Sequence, residues 1–149
     1  YVEAQRGKVG NSCVDTADVF TDVEESKDYV KRTGVDALAV AIGNLHGHYV
    51  ATPHLNIERL KEIHEANNLP LVLHGGSGTS VEDFKACLHN GICKINVATA
   101  IQMGVTADIL KYLQTTDKPN YISMKAVMIK ASRRVIADHI MLFESNGHA

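Results

Sequence analysis

Three short clusters of polar residues and glycines contain the residue types that bind metal ions and phosphate groups. They are residues 44–47 (Asn-Leu-His-Gly), residues 74–78 (His-Gly-Gly-Ser-Gly) and residues 96–99 (Asn-Val-Ala-Thr). Each cluster directly follows a short apolar run of the kind that forms a buried strand. Because ligands of α/β proteins bind at the carboxyl ends of strands, the three clusters predict one shared binding site.

The histidines of the first two clusters, His46 and His74, occupy equivalent positions, and each is followed by glycine. Neutral imidazoles that converge from neighbouring strands are typical zinc ligands. A single histidine is more often structural, but the matched positions favour a metal site. A competing interpretation pairs His46 with His48, as in the His-x-His signature of zinc hydrolases. That pair needs both residues on one strand, and we expect the strand to end by Asn44.

The glycines of the second cluster allow the backbone to approach an anion closely. Gly75, Gly76 and Ser77 precede a predicted helix, whose first N–H groups would point at a phosphate. The same residues also fit a flexible strand-to-helix turn, which is the more common case for a lone glycine-rich tetrapeptide. In the third cluster, Thr99 is either a ligand or the N-cap of the following helix.

Short apolar runs alternate with amphipathic stretches along the chain and would position these clusters. The apolar runs predict strands near residues 1–4 and over residues 37–42, 71–73 and 92–97. Helical periodicity predicts helices over residues 22–33, 57–66, 80–88, 101–113 and 124–140, with Asn56 and Ser80 as N-caps and Gly91 as the end of the third helix. The order gives an α/β fold with four βα units, which is half of a (β/α)₈ barrel, although periodicity alone also fits a short doubly wound sheet. We expect one domain over residues 1–149.

Composition excludes several classes of function. The chain has 149 residues and a formal net charge of −2, so no basic surface predicts binding to nucleic acid or to an anionic membrane. No apolar run approaches the ~20 residues of a membrane span. The three cysteines, Cys13, Cys87 and Cys93, are odd in number and form no Cys-x-x-Cys pair. They argue against a disulfide framework and for a cytoplasmic location.

Residues 35–47, 70–78 and 91–99 together resemble the class II fructose-bisphosphate aldolase family, and most closely its tagatose-bisphosphate aldolase branch. The three motifs occur in the family's order and spacing, and the likeness covers nearly the whole chain. It corresponds to the second half of a family member, and Tyr1 in place of Met also favours a fragment. The resemblance implies a TIM barrel, of which this chain supplies strands five to eight.

The resemblance also implies roles for individual residues. His46 and His74 match two of the family's three zinc-binding histidines. The positions that hold dihydroxyacetone phosphate match Gly47, Gly75, Gly76, Ser77, Asn96, Val97, Ala98 and Thr99. With Zn²⁺ as a Lewis acid, the family reversibly cleaves fructose or tagatose 1,6-bisphosphate to dihydroxyacetone phosphate and glyceraldehyde 3-phosphate. The implied partner is a small sugar phosphate, and we expect a homo-oligomer.

Three departures from the family pattern bear on activity. The family's Asp-His pair, which supplies the proton-transferring aspartate and the first zinc histidine, belongs to the earlier half and is not in this sequence. Gln5 stands where the family usually has glutamate, and the loop over residues 8–13 lacks the usual acidic residues, for which Asp15 and Asp18 are poor substitutes. We therefore expect the chain alone to be inactive. The alternatives are a non-catalytic decayed paralogue or subunit-association module, and a zinc hydrolase.

An isolated half-barrel has consequences for association. Its first and last strands would be edges with unpaired N–H and C=O groups. Its apolar inner face would also be exposed. We therefore expect the isolated chain to self-associate.

Overall fold

The computed structural model describes the backbone of residues 3–5 and, in full, residues 20–44, 54–76 and 78–148. These residues form two compact units, Tyr1–Val97 and Ala98–Ala149. In chain order the elements are β1 (Glu3–Gln5), α1 (Val23–Thr33), β2 (Ala37–Val40), α2 (Ile57–Asn67), β3 (Leu71–His74), α3 (Val81–Leu88), β4 (Ile92–Asn96), α4 (Thr99–Thr115) and α5 (Tyr121–Leu142). The candidate residues His46, Gly47, His48 and Ser77 lie outside the described residues.

The first unit contains a parallel sheet with the strand order β1-β2-β3-β4. Every strand therefore lies beside the strand that precedes it in the sequence. A barrel has this consecutive order, whereas a doubly wound sheet reverses its order at a switch point. Among the described strands, β2 and β3 are internal and β1 and β4 each have one strand neighbour.

The two internal strands are buried on both faces. Ala37–Val40 are 0–3% exposed and Leu71–Leu73 are 0% exposed. One face carries a cluster of small buried side chains, namely Ala37, Ala39 and Val72. Because neighbouring residues of the chain cover such small side chains, the expectation of an exposed inner face is wrong for these strands. Two helices complete the buried core of this unit with Leu60, Ile63, Phe84 and Cys87.

Strand β2 is shorter than the predicted run of residues 37–42. The Ala41 N–H donates to Oγ1 of Thr21 at 2.9 Å, and the Thr21 N–H donates to the Ala41 carbonyl at 2.8 Å. The Ile42 N–H donates to Oδ1 of Asn44 at 2.8 Å. Loop residues thus take the hydrogen bonds that a neighbouring strand would otherwise make, and the regular strand ends early.

Two helix starts follow the predicted capping signals, those of α2 at Asn56 and of α3 at Ser80, and α1 is capped in the same way. An N-cap side chain accepts a hydrogen bond of 2.9–3.0 Å from the third residue of the helix at Asp22, Asn56 and Ser80. Two predictions are wrong. Ala98 occupies the N-cap position of α4, so Thr99 is its first residue and not its cap. Because α3 already ends at Leu88, Gly91 lies in the turn into β4, where its φ is 102°.

The second unit is a pair of helices, α4 and α5. Gly104 allows close packing within this pair, because a Cβ at this position would lie 2.6 Å from Cγ2 of Val135. The side chains of Ala131 and Val135 are buried, and Arg134 forms an ion pair with Asp108 at 3.2 Å. Within the described ranges, none of the helices combines the length and apolar character needed to cross a membrane.

Candidate metal and phosphate site

The last residues of β3 and β4, His74 and Asn96, lie side by side. They are partners in the parallel register. The Nδ2 atom of Asn96 lies 3.0 Å from Nε2 and 3.5 Å from Nδ1 of the His74 ring. Sequence analysis assigned both residues to successive strand ends, and the structure brings their side chains into contact there.

The contact with Asn96 is made through a ring nitrogen of His74, the kind of atom that binds a metal ion. An amide nitrogen only donates hydrogen bonds, so the ring nitrogen that accepts one must carry a lone pair. A metal ion binds through the same kind of lone pair. The half-buried ring of His74 therefore has the donor chemistry of a zinc ligand.

The described residues do not by themselves form a complete metal site. Within residues 20–44, 54–76 and 78–148, no group of three or more His, Cys, Asp or Glu side chains is close enough to hold a metal ion. His46 lies outside these ranges, so its pairing with His74 stays a prediction. The fit to zinc rests here on a single imidazole, that of His74.

A lysine shares the sheet face that carries His74 and Asn96. β4 contributes one extra residue, Cys93, and this irregularity sets Lys94 beside Val72 in the register. Because alternate residues of a strand point to one face, Lys94 lies on the same side as Asn96. The lysine is exposed and adds positive charge near the strand end. Sequence analysis missed it, although its two-residue spacing from Asn96 was an available signal.

Asn44 connects the end of β2 with the end of β3. Its Oδ1 accepts the Ile42 N–H at 2.8 Å, and its Nδ2 donates to the His74 carbonyl oxygen at 2.8 Å. A longer contact of 3.5 Å joins Nδ2 to the Val40 carbonyl. The sequence analysis placed Asn44 in the first polar cluster but gave it no role, because a hydrogen bond across 30 residues has no local signal.

The chain leaves and rejoins the end of β2 through closely packed segments. Gly43 has a φ of 102°, and a Cβ there would lie only 2.7 Å from the His54 carbonyl oxygen. Both observations require glycine. The Asn56 N–H donates to the Ile42 carbonyl at 2.8 Å. These contacts fix the two points to which residues 45–53 connect.

The turn after β3 needs glycine for backbone and packing reasons. Gly75 and Gly78 have φ values of 70° and 96°, a region that side-chain-bearing residues rarely adopt. A Cβ on Gly76 would lie 2.8 Å from the Phe84 ring of α3. Packing against α3 therefore accounts for Gly76, and the phosphate-binding role of this turn stays a prediction.

The third cluster spans the end of β4 and the start of α4. Asn96 is the last strand residue, and Thr99 begins the helix. The N-cap residue of α4, Ala98, makes no side-chain cap. By contrast, the N-cap side chains of α1, α2, α3 and α5 each accept a hydrogen bond. Asn96 is thus brought to His74, and the roles of Val97, Ala98 and Thr99 stay predictions.

Comparison with known proteins agrees with the motifs and the strand order. The sequence model of the family "Fructose-bisphosphate aldolase class-II" matches residues 1–148. The chain belongs to this family. The class II aldolase YdjI from Escherichia coli K12 is similar in structure, with 36% identity, a TM-score of 0.83, and coverage of 99% of this chain and 50% of that one.

Two other solved structures are also similar. A protein from Coccidioides immitis, described as a candidate fructose-1,6-biphosphate aldolase, has 29% identity and a TM-score of 0.82, and the match covers 98% of this chain and 53% of that one. A fructose-bisphosphate aldolase from Campylobacter jejuni, with 24% identity and a TM-score of 0.62 over 95% of this chain and 50% of that one, shares the fold.

This aldolase-family chain spans about half the length of the solved structures that it matches. Together with the consecutive parallel strands, this extent confirms the predicted fold class, an α/β chain that forms half of an aldolase barrel. The family resemblance inferred from the three motifs is confirmed as well. The family consists of aldolases, which are lyases that bind sugar phosphates.

Proposed function

We propose that this chain is one half of a zinc-dependent ketose-bisphosphate aldolase and carries part of its metal and phosphate sites. The reaction is the reversible cleavage of fructose or tagatose 1,6-bisphosphate to dihydroxyacetone phosphate and glyceraldehyde 3-phosphate. The observation that carries the proposal is the contact of His74 with Asn96 at 3.0 Å, at adjacent strand ends of a chain that the aldolase family matches from residue 1 to 148. Further parts of the proposal are a cytoplasmic location, a role in carbohydrate metabolism such as glycolysis, and a homo-oligomeric protein.

His74 and His46 would hold the zinc ion together with a third histidine from the other half of the barrel. When bound, zinc supplies the Lewis acid that polarises the substrate ketone. His74 contributes an imidazole ring whose Nε2 atom lies 3.0 Å from Nδ2 of Asn96. With zinc bound to His74, the Asn96 amide would be available to donate to a substrate oxygen.

The substrate phosphate and ketose oxygens would meet backbone N–H groups and small polar side chains. The proposed contacts are Gly47, Gly75, Gly76, Ser77, Asn96, Val97, Ala98 and Thr99. Two observations support them. Gly75 and Gly78 have positive φ values, so a turn built on glycine directly follows His74. The start of α4 lacks a side-chain cap, and helix starts favour anions.

Proton transfer would require groups that this chain does not supply. The aspartate that shuttles the proton is expected in the other half of the barrel. Gln5, which pairs with Ala39 in the sheet register, carries no charge where the family usually has a carboxylate. The chain on its own should therefore be inactive. Gln5 also favours the second candidate function, a non-catalytic subunit that keeps the fold and binds sugar phosphate without turnover.

The deciding experiment uses a protein that contains both halves of the barrel. His74→Ala should lower kcat for bisphosphate cleavage about a hundredfold or more and lower the zinc content, because Lewis-acid polarisation is worth several kcal/mol. The matched control is His148→Ala, since His148 is exposed near the end of the described chain. Near-normal turnover with full zinc in His74→Ala would exclude His74 from the metal site. Zinc binding without turnover in the unmutated protein would favour the non-catalytic candidate.

The isolated 149-residue chain offers a second test. Its two proposed histidine ligands leave a tetrahedral zinc site short of the usual three or four protein ligands, so binding should be weak. Calorimetry on metal-free protein measures this affinity. Tight one-to-one binding that survives His46→Ala would contradict the assignment.

A further inference from the structure

We infer that Asn44 is a positioning residue of the metal site, which locks the His74 backbone to the end of β2. This inference rests on the proposed function, because it assigns a purpose to the position of His74. It adds a residue to the site that neither the ligand set nor the substrate contacts include. Asn44 acts through other residues and is not itself a ligand or a catalytic group.

The hydrogen bonds of Asn44 use both ends of its side-chain amide. Oδ1 accepts the Ile42 N–H at 2.8 Å, and Nδ2 donates to the His74 carbonyl at 2.8 Å. The first bond holds the side chain against its own strand end, and the second reaches the neighbouring strand. Since no regular strand pairing continues past Val40, this amide takes over the link between β2 and β3 where the sheet stops.

The backbone on either side of Asn44 has little freedom to compensate for its loss. Gly43 lies against the His54 carbonyl, and the Ile42 carbonyl accepts from the Asn56 N–H at 2.8 Å. The His74 ring is held from the opposite side by Asn96. His74 is therefore fixed through its carbonyl by one asparagine and through its ring by another, and its orientation depends on both.

This pair of bonds needs one acceptor and one donor, and the Asn44 amide supplies both. Aspartate keeps the acceptor for Ile42 but has no donor for the His74 carbonyl, and two oxygens would then face each other. Alanine removes both bonds. Residues that orient a metal ligand from outside the ligand set typically change metal affinity 10–100-fold when they are lost. We expect a loss of this size for Asn44.

The test compares Asn44→Asp and Asn44→Ala with Asn67→Ala in the 149-residue chain. Asn67 is a matched control, because its Nδ2 also bridges two elements, donating to Oγ of Ser26 and to the Ile63 carbonyl at 2.8 Å each. It lies at the end of α2, before the first residue of β3, whereas His74 is the last residue of β3. Two readouts are needed. The first is the ¹⁵N spectrum of the His74 ring in metal-free protein, and the second is the affinity for Co²⁺ followed by its visible absorption.

Both Asn44 variants should shift the His74 ring signals, and both should weaken Co²⁺ binding about 10–100-fold. Asn67→Ala should change neither readout, although it should lower stability. The near-isosteric Asn44→Asp keeps the test valid if Asn44→Ala does not fold. Unchanged ring signals and unchanged Co²⁺ affinity in Asn44→Asp would overturn the inference, and so would equal effects from Asn67→Ala.

The two proposals can fail separately. If Co²⁺ binding survives His74→Ala, while the His74 ring signals of the unmutated chain still respond to Asn44→Asp and not to Asn67→Ala, the positioning role stands and the metal function of His74 is wrong. If Co²⁺ binds and depends on His74 but is indifferent to Asn44, the metal function stands and the positioning role is wrong.

Discussion

At the scale of single residues, the two described cysteines have opposite environments. The Cys87 side chain is fully buried in α3, and Cys93 on β4 is exposed. Burial and, to a smaller extent, the nearby Asp83 carboxylate together raise the pKa of the Cys87 thiol from 9.0 to about 12. The thiolate is the reactive form of cysteine, so Cys87 should be inert in the folded chain.

A thiol reagent at pH 8 should therefore modify Cys93 within minutes and leave Cys87 unmodified until the chain unfolds. Mass spectrometry of the labelled peptides distinguishes the two positions, and labelling in denaturant provides the full-reaction control. Equal labelling of both thiols in the native chain would show that α3 opens readily, contrary to the burial of Cys87.

The raised pKa of Cys87 also predicts a loss of stability at alkaline pH. In the unfolded chain the thiol loses its proton near pH 9.0, whereas in the folded chain it keeps the proton up to about pH 12. Between these values the folded state binds more protons, so the free energy of unfolding falls as pH rises, by up to about 1.4 kcal/mol per pH unit. Urea titrations from pH 8 to pH 11 measure the slope. Cys87→Ala should abolish this contribution even though the cavity lowers overall stability.

The contacts at the site were predictable from sequence only in part. The proximity of His74 and Asn96 follows from their places at the ends of successive apolar runs, since parallel strands bring equivalent residues to one edge. The bond from Asn44 to the His74 carbonyl does not follow, because either end of an amide can bond to many groups in a loop. Lys94 was overlooked because a lysine inside an apolar run normally indicates a solvated face.

At the scale of elements, the turn between α3 and β4 depends on a glycine that packs against α2. Gly91 has a φ of 102°, and a Cβ there would lie 2.5–2.6 Å from Cγ and Nδ1 of the His64 ring. These atoms are close to the His64 backbone, so a rotation of the ring cannot remove the contact entirely. Gly91 therefore sets how closely α2 approaches the start of β4.

Gly91→Ala should destabilise the first unit by about 2–5 kcal/mol. The left-handed backbone contributes about 1–2 kcal/mol, and overpacking against His64 contributes about 1–3 kcal/mol. Gly34→Ala is the matched control, because Gly34 has a φ of 64° with no atom within 4 Å of the added Cβ. Gly34→Ala should lose only the stability that the left-handed backbone contributes, about 1–2 kcal/mol. Urea unfolding compares the two, and the added substitution His64→Ala should relieve the packing part in Gly91→Ala alone. Equal losses in the two glycine variants would disprove the packing contribution.

Element types and most helix starts were predictable because their signals are local. Asp22, Asn56 and Ser80 bond to amides three residues away, which a short window of sequence contains. The end of β2 was misjudged because its apolar run continues to Ile42, whereas its hydrogen bonds go to the distant Thr21 and to Asn44. Strand length depends on partners, and partners are a property of the tertiary fold.

At the scale of the whole molecule, the sheet is closed against solvent in its middle and open at its edges. The side chains of β2 and of Leu71–Leu73 in β3 are at most 3% exposed, whereas Cys93 and Lys94 of β4 are exposed. Among the described strands, β4 pairs only with β3. Association of the isolated chain should therefore begin at a strand edge and not at the small, covered side chains of Ala37, Ala39 and Val72.

Amide exchange in a dilution series tests this expectation. In the monomer, the amides of β4, Ile92–Asn96, should exchange faster than those of Ala37–Val40, because β4 has one strand neighbour and β2 has two. Sedimentation at the same concentrations shows when dimers or larger species form. If association gives β4 a second strand neighbour, amide exchange in β4 should slow as the dimers or larger species form, while exchange in β2 stays constant.

Leu71–His74 in β3 is the internal control, since β3 also has two strand neighbours and should remain protected at every concentration. Two results would contradict the argument. Equal protection of β2, β3 and β4 in a monodisperse monomer would mean that the β4 edge is already covered. If association leaves exchange in β4 unchanged, the contact lies on another surface. Among the described residues, Ile122 of α5 is the most exposed large apolar side chain, at 74%. Slower exchange confined to β4 would identify the open edge of the half-barrel as the surface that a second copy, or the other half of an aldolase barrel, covers.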